Sequence, residues 1–119
     1  MKINLDAAFA ALPGYWQPHI VADLNGQQVK VVRVRGEFAW HQHEDADELF
    51  WVTRGQLRIE FRDRTVELGP GELLVVPRGT EHRPVAEDEV ELVLFEPVGV
   101  VNTGDAEPSA LTARSDARL

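Results

Sequence analysis

The feature that most constrains this chain is a series of short apolar segments divided by strong turn signals. The segment "QLRIEFR" alternates strictly, with Leu57, Ile59 and Phe61 on one face and charged side chains on the other. This period of two is typical of a half-buried β-strand. Between two other segments, Asn25 and Gly26 form the strongest short signal for a hairpin. About eight short strands at regular spacing predict an all-β sandwich or barrel.

The two ends of the chain differ from this pattern. Asn4 is typical of a helix N-cap, and the apolar side chains that follow it share one helical face: Leu5, Ala8, Phe9 and Leu12. From Gly99 onward the sequence is polar and rich in small residues. We therefore predict one domain, residues 1–98, that comprises a short N-terminal helix and the barrel. A polar C-terminal arm, residues 99–119, is expected to be partly disordered.

Composition limits the classes of function. The formal net charge is −8 over 119 residues, which excludes the basic surface needed to bind nucleic acid or an anionic membrane. The chain has no cysteine, so thiolate catalysis and thiolate metal sites are excluded. The N-terminus is a poor signal peptide, and no apolar run reaches the roughly 18–20 residues of a membrane span. We expect a soluble, cytoplasmic protein.

The stretch "WHQHEDADELFWV" brings together the residue types of a metal site. His41 and His43 are two residues apart on a predicted strand, so their imidazoles are expected to point the same way. Glu48 opens an apolar run, where a carboxylate is unfavourable unless a cation compensates its charge. His82 precedes a later predicted strand, whereas His19 has no partner in the sequence. Imidazole binds Zn, Fe, Ni and Cu, so these residues favour a divalent metal.

Each of these features has a simpler interpretation when it is taken alone. A histidine is most often a surface or core side chain with one hydrogen bond, and a His-x-His pair also occurs by chance. The acidic residues Glu44, Asp45 and Asp47 are typical of a solvated loop at a rim. The combination of three histidines, a glutamate at the edge of the core and regularly placed turn glycines is what favours metal binding.

With these residues in view, the sequence resembles the cupin superfamily. The two cupin motifs fall on the following residues, in order: Gly36, His41, His43, Glu48 and Gly55, then Gly71, Pro77, Gly79 and His82. The resemblance covers residues 36–86 and departs from the motifs twice. Four residues, rather than five, separate Gly36 from His41, and Ala86 replaces the asparagine of the second motif. Both departures concern strand length and loop bonding more than the ligands.

The resemblance implies a double-stranded β-helix, a small cupin barrel of two facing antiparallel sheets with an open end. It also implies that one divalent metal ion, with Fe, Mn, Ni, Zn and Cu as candidates, is bound by four residues: His41, His43, Glu48 and His82. A six-coordinate ion would keep further positions for water or substrate. Cupins are commonly homodimers, and cupins with this ligand set include dioxygenases and isomerases.

Alternation along the strands predicts which side chains face the barrel interior. The predicted interior lining is Phe50, Val52, Leu57, Ile59 and Phe61. Leu49 and Trp51 then face outward, which indicates cover by another layer, either the N-terminal segment or a second subunit of a homodimer. Arg78 and Arg83 are candidates for contact with an anionic substrate at the barrel mouth, although a solvated loop arginine is the more common case.

Two functions remain open beside a purely structural barrel. The first is a metalloenzyme that acts on a small metabolite, with dioxygenase- or sugar-isomerase-like chemistry. The sequence offers no clear general base beyond the predicted ligands, and this favours chemistry that the metal itself carries. The second is a non-catalytic module that binds a small molecule as a sensor or carrier. The fold does not choose between them, because one barrel supports many chemistries.

Overall fold

Antiparallel strands and one short helix make up the structure, a computed structural model that describes residues 2–119. The elements are α1 (Leu5–Ala10), β1 (His19–Leu24), β2 (Gln27–Glu37), β3 (Glu48–Arg54), β4 (Leu57–Phe61), β5 (Thr65–Leu68), β6 (Leu73–Val76) and β7 (His82–Pro97). The predicted all-β fold with a short N-terminal helix is confirmed. Among the described residues, no helix has the length and apolar character needed to cross a membrane.

The longest strand, β7, organises the sheet. β2 pairs with it from Gln27↔Pro97 to Glu37↔Val85, with a bulge after Val34. On its other edge, β7 pairs with β4 through residues 82–85 and with β3 through residues 91–95. The path through the sheet is therefore β1-β2-β7-β3-β6, with β4 and β5 branching from the first half of β7.

The three consecutive acidic residues 87–89 predict a turn before the next strand, and this prediction is wrong. The acidic stretch there is exposed, as a turn would be, but it lies within the continuous strand β7. Residues on either side of it pair with different neighbours, β4 before it and β3 after it. Because exposure and charge are shared by turns and by strand bends that face solvent, local composition alone did not distinguish them.

The main core lies inside the barrel, on the faces that alternation predicts. All five residues of the predicted interior lining are buried, and they pack with side chains from β2 and β7 such as Val32, Val34 and Leu92. Burial of these aliphatic and aromatic side chains supplies the main driving force for the fold. Alternate side chains of β2 and β7 also point into the barrel at the end where Glu48 lies.

A second, smaller core holds the N-terminal helix against the outside of the sheet. Asn4 caps the helix, since its side-chain oxygen accepts a hydrogen bond of 2.9 Å from the amide of Ala7. Phe9 packs with Ala8 and Leu12 against Val31 of β2 and Val93 of β7. Leu5 is exposed, so its predicted place on the buried face is wrong: the contact with the sheet is made from the second half of the helix onward.

The C-terminal arm, residues 99–119, folds back over the barrel. Its last residues pair with β1, where the amide of Ile20 donates to the carbonyl oxygen of Ala117 at 2.8 Å. Arg118 forms two hydrogen bonds with the carboxylate of Asp23, at 2.9 and 3.0 Å. Thr103, in the middle of the arm, is buried. The division of the chain at residue 98 and the partial disorder of the arm stay predictions.

Gly55, in the connection from β3 to β4, has a φ of +92°, and a Cβ added there would lie 2.7 Å from the carbonyl oxygen of Glu89. We predict that Gly55→Ala lowers the free energy of unfolding by about 2–4 kcal/mol, because a steric clash adds to the strain of a left-handed backbone. Gly71→Ala is the matched control, since Gly71 has a φ of +83° and open space around it. Urea unfolding that gives equal losses for the two variants would contradict this prediction.

Candidate metal centre

The segment that carries His41 and His43 is a loop. The alternating sequence "EFAWHQH", residues 37–43, predicts a strand there, and this prediction is wrong beyond Glu37. β2 ends at Glu37, and the loop that follows is bonded to β7 at Phe38, whose amide donates to the carbonyl oxygen of Pro84 at 3.0 Å, and at the bridge between His41 and His82. The amide of each residue donates to the carbonyl oxygen of the other, at 3.0 and 2.9 Å. The loop is thereby tied to the start of β7. His43 is brought to the same place, with its ring centroid 5.0 Å from that of His41.

The structure brings together all four residues predicted as ligands. The candidate donor atoms of the four, one from each side chain, lie within 4.8 Å of one another: His41, His43, Glu48 and His82. Every member is buried. Residues of three different segments, the loop, β3 and β7, therefore converge on one point inside the barrel.

Backbone carbonyl groups fix the ring orientation of two of the imidazoles. Nδ1 of His41 lies 2.9 Å from the carbonyl oxygen of Ala39, and Nδ1 of His82 lies 2.9 Å from that of Thr80. A carbonyl oxygen can only accept, so Nδ1 carries the proton in both rings. The lone pair is then on Nε2, the atom available to bind a metal. Burial, together with the nearby His82, lowers the pKa of His41 to about 4, which keeps this ring neutral at pH 7.

Glu48 is the carboxylate of the cluster. Its Oε1 atom lies 3.4 Å from Nε2 of His43 and 3.6 Å from Nε2 of His82. Burial acts to raise the pKa of Glu48, but contacts with His43, His82 and Glu96 outweigh burial and hold the pKa well below its usual range. The cluster thus offers an ionised carboxylate together with imidazoles.

Unsatisfied polar atoms show that these residues fit a metal ion. Within the described part of the chain, Nε2 of His43, Nε2 of His82 and Oε1 of Glu48 are buried and have no hydrogen-bond partner. Such atoms are unfavourable in a folded protein unless something else satisfies them. Imidazole and carboxylate together suit divalent ions of the Zn, Fe, Ni and Mn type. The arrangement can therefore hold one divalent cation, and the identity of the ion is open.

A second buried polar group adjoins the cluster and was not predicted from the sequence. Lys30 of β2 lies 3.0 Å from Oε1 of Glu96 on β7, and both side chains are buried, with 3% and 2% of their surface exposed. Nζ of Lys30 also reaches the carbonyl oxygen of Val100 at 3.5 Å. Burial and the negative charge of Glu48 raise the pKa of Glu96 to about 9, against the opposing effect of Lys30.

The signal for this group is present in the sequence. In "QQVKVVRV", the alternate residues Gln28, Lys30 and Val32 fall on one face of the strand. In "VELVLFEP", Leu94 and Glu96 likewise fall on one face. Since alternate residues share a face of a strand, Lys30 and Glu96 belong to the buried face. The alternation of side chains identifies the apolar lining. Applied to the charged residues of the same strands, it would have placed both Lys30 and Glu96 on a buried face.

The interior beside the cluster is narrow and mostly apolar. A cavity of about 30 Å³ lies against His41 and Glu48 and is lined mainly by aromatic and aliphatic side chains. Trp16 closes it by stacking on Phe38, with ring centroids 4.6 Å apart. Its indole N–H donates to the carbonyl oxygen of Arg35 at 2.9 Å. This space accommodates about one water-sized molecule.

The arginines predicted as contacts for an anionic substrate are engaged elsewhere. The backbone amide and Nε of Arg78 donate to Asp47, at 2.8 and 3.2 Å. Nε and Nη2 of Arg83 donate to Glu60, at 2.9 and 2.7 Å, and its guanidinium lies over the ring of Trp40. Both arginines are therefore neutralised by carboxylates of the chain. Neither of them lines a cavity that reaches the cluster.

Comparison with known proteins agrees with the fold and the motifs. Residues 28–101 match the family model described as a cupin domain. A crystal structure of a cupin-2 domain protein from Shewanella frigidimarina is 43% identical, with a TM-score of 0.78 over 80% of this chain and 93% of that chain. Protein NMB1881 from Neisseria meningitidis is 35% identical, with a TM-score of 0.74 over 82% of this chain and 99% of that chain.

A curated relative matches over a shorter stretch. The uncharacterized protein YdbB of Bacillus subtilis is 41% identical over 64 residues, which are 53% of this chain and 57% of that protein. The match to this chain thus spans little more than half of the length of that relative. None of these names specifies a reaction.

Glu96 provides a test of the buried polar group in the metal-free protein. A carboxyl group whose pKa is raised from 4.5 to about 9 in the folded state gives stability that is fully present below pH 4.5. That stability is lost as the pH rises through about 9. We predict that the wild type in EDTA loses more than about 1 kcal/mol of unfolding free energy between pH 6 and 9. Glu96→Gln should remove this loss, because the amide cannot ionise.

The control for this measurement is Glu87→Gln, which changes an exposed carboxylate in the bend of β7. Chemical unfolding at both pH values should leave its pH dependence equal to that of the wild type. A Glu96→Gln variant that retains the full wild-type loss of stability would contradict a raised pKa at this position.

Proposed function

The chain belongs to the cupin domain family, and from that premise we propose that it is a divalent-metal-binding metalloenzyme that acts on a small metabolite. The observation that carries the proposal is the convergence of four buried side chains whose donor atoms lie within 4.8 Å of one another. Their unsatisfied Nε2 and Oε1 atoms support a bound cation. The proposed ion is Fe, Mn, Ni, Zn or Cu, all of which accept imidazole or carboxylate ligands.

In this proposal each residue has a definite role. His41, His43, Glu48 and His82 would hold the ion, and it would supply Lewis-acid or redox chemistry of the dioxygenase or isomerase type. The carbonyl groups of Ala39 and Thr80 hold two of the rings in the tautomer with a free Nε2. The apolar side chains around the small cavity exclude water, which strengthens electrostatic interactions inside the site.

A specific observation also supports a second function, a non-catalytic module that binds a small molecule as a sensor or carrier. Two ionisable side chains near the cluster are already paired: Glu96 with Lys30, and Asp47 with Arg78. A general base must lie within hydrogen-bond reach of the proton that it removes. Among the described residues, the walls of the small cavity offer no free carboxylate beyond Glu48. The chemistry would then rest on the metal alone, and binding without turnover is the alternative.

We predict that the purified protein binds one equivalent of a divalent ion per chain, measured by elemental analysis and by titration after chelation. His82→Ala should weaken binding by at least roughly a hundredfold, since loss of an outer partner alone weakens metal affinity by about 10- to 100-fold. His19→Ala is the control, because Nδ1 of His19 contacts the carbonyl oxygen of Gln17 and the residue is not part of the cluster. Equal metal affinity in the two variants would contradict the proposed site.

Turnover is tested separately on the metal-loaded protein. Oxygen consumption with a panel of small phenols and keto acids would report a dioxygenase. Incorporation of solvent deuterium into small sugars would report an isomerase. Binding of these compounds without either signal would favour the non-catalytic module over the enzyme.

We also propose that the protein forms a homodimer through the outer face of β3 and β6. Trp51 is 42% exposed there, and it pairs with Leu73, which is also exposed. Val75 adds a further exposed apolar side chain, and β6 ends the path of strands through the sheet. An edge strand without charged residues presents unpaired backbone groups that can pair with another chain. A second copy of the same surface supplies the apolar cover that helix α1 gives to β2.

The dimer is tested by light scattering at micromolar concentration. The wild type should behave as a dimer, and Trp51→Glu should behave as a monomer, because a charge would be buried in the interface. Leu24→Glu is the control, since Leu24 is 53% exposed at the end of β1 in the hairpin. A wild type that is monomeric at this concentration would overturn the proposal.

A further inference from the structure

One open cleft lies next to the proposed metal cluster. Its volume is about 480 Å³, and it lies between the loop of residues 42–46 and the chain of residues 97–105. His43 forms part of its wall, although that side chain is only 8% exposed. Nε2 of His43 has no hydrogen-bond partner among the described residues. The cleft therefore borders one of the proposed ligand residues, whose Nε2 atom is buried behind the wall and lies 3.4 Å from Oε1 of Glu48. The other cavity beside the cluster has only about 30 Å³.

The two walls of the cleft are held together by the backbone. The amide of Gln42 donates to the carboxylate of Asp105 at 2.8 Å, and the amide of Asp105 donates to the carbonyl oxygen of Gln42 at 3.1 Å. This reciprocal contact holds the pKa of Asp105 below its ordinary value. The arm and the ligand-bearing loop are therefore joined by hydrogen bonds and form the two walls of one cleft.

The charges that line the cleft all have the same sign. Glu44 and Asp45 are exposed on one wall and Asp105 on the other, and no lysine or arginine lines the cleft in the described structure. The remaining side chains are mostly apolar, including Val98, Val100 and Val101. Lys30 donates to the carbonyl oxygen of Val100 at 3.5 Å, but its ammonium group is buried, 3.0 Å from Glu96, and does not line the cleft.

From these observations we propose that the cleft is the entrance for ligands of the metal centre, and that it selects small organic cations with an apolar part over anions. The inference rests on the proposed metal site and adds the class of substrate to it. Fixed carboxylates attract an ammonium group and repel a carboxylate or phosphate at close range. At about 7 Å in a water-like medium, each carboxylate changes affinity about threefold at low ionic strength.

The test uses protein loaded with Co²⁺ and three hydroxamates that share one metal-binding group. Butyrohydroxamic acid has a neutral arm, γ-aminobutyrohydroxamic acid an ammonium arm, and succinic monohydroxamic acid a carboxylate arm. The visible absorption of the bound Co²⁺ reports binding without any turnover. We expect the ammonium compound to bind at least about a hundredfold more tightly than the carboxylate compound at low ionic strength, because three carboxylates act on the two arms with opposite sign. The ratio should be smaller in about 0.5 M salt.

The matched variants separate the cleft from the total charge of the protein. Glu44→Gln with Asp45→Asn should reduce the ratio between the ammonium and carboxylate compounds to about tenfold, because one carboxylate, Asp105, remains and acts on the two arms with opposite sign. Glu87→Gln with Asp88→Asn removes the same charge from the exposed bend of β7 and should keep the wild-type ratio. Both double variants should load Co²⁺ normally, since none of these residues is a proposed ligand.

The outcomes distinguish this inference from the proposed function. Failure of the wild type to load Co²⁺ would overturn the metal centre and the inference with it. Normal loading with equal affinities for the three hydroxamates would overturn the selectivity of the cleft and leave the metal centre intact. A ratio that falls equally in both double variants would overturn the assignment of selectivity to Glu44 and Asp45.

Discussion

Three imidazoles and a carboxylate are buried with their donor atoms within 4.8 Å of one another, and this crowding constrains much of the surrounding structure. Polar atoms without partners are costly in the interior, so the rings must be held in defined orientations by hydrogen bonds. The carbonyl groups of Ala39 and Thr80 meet this requirement by fixing the protons on Nδ1. What remains is a set of lone pairs that face one point, which a divalent cation satisfies.

The strand β7 connects this centre to the rest of the barrel. His82 stands at its first residue, and Glu96 lies near its end beside Glu48. Between them the strand bends at its exposed acidic stretch and changes partner from β4 to β3. One continuous strand thus contributes to the metal cluster and to the buried Lys30–Glu96 group. Pairing with β2 along nearly its whole length gives it the rigidity that a preorganised site requires.

Much of the candidate site could be predicted from the sequence, because metal ligands are recognised by residue type and spacing. The His-x-His pair, Glu48 and His82 were identified together, and the structure brings the four together. The secondary structure around them was less predictable. Residues 38–43 have the alternation of a strand but form a loop, since they are bonded to β7 at Phe38 and at the bridge of His41 with His82 and form no continuous ladder. Such pairing depends on barrel closure, which a local pattern does not contain.

Contacts between distant parts of the chain were the other feature that the sequence did not predict. Lys30 and Glu96 are 66 residues apart, and their sequence phase places each on a buried face without indicating that they meet. The clamp between Gln42 and Asp105 likewise joins the ligand-bearing loop to an arm that composition describes only as polar. Periodicity predicts the direction of a side chain, whereas the partner that it meets is set by the register of the closed sheet.

The central claim is that these four side chains bind one divalent ion through three imidazole nitrogens and one carboxylate oxygen. X-ray absorption at the edge of the bound metal tests it most directly, because the fine structure reports the number of imidazole ligands. We expect a wild-type spectrum with three imidazoles and a His82→Ala spectrum with two. A spectrum that shows fewer imidazoles in the wild type, or that is unchanged in His82→Ala, would contradict the account.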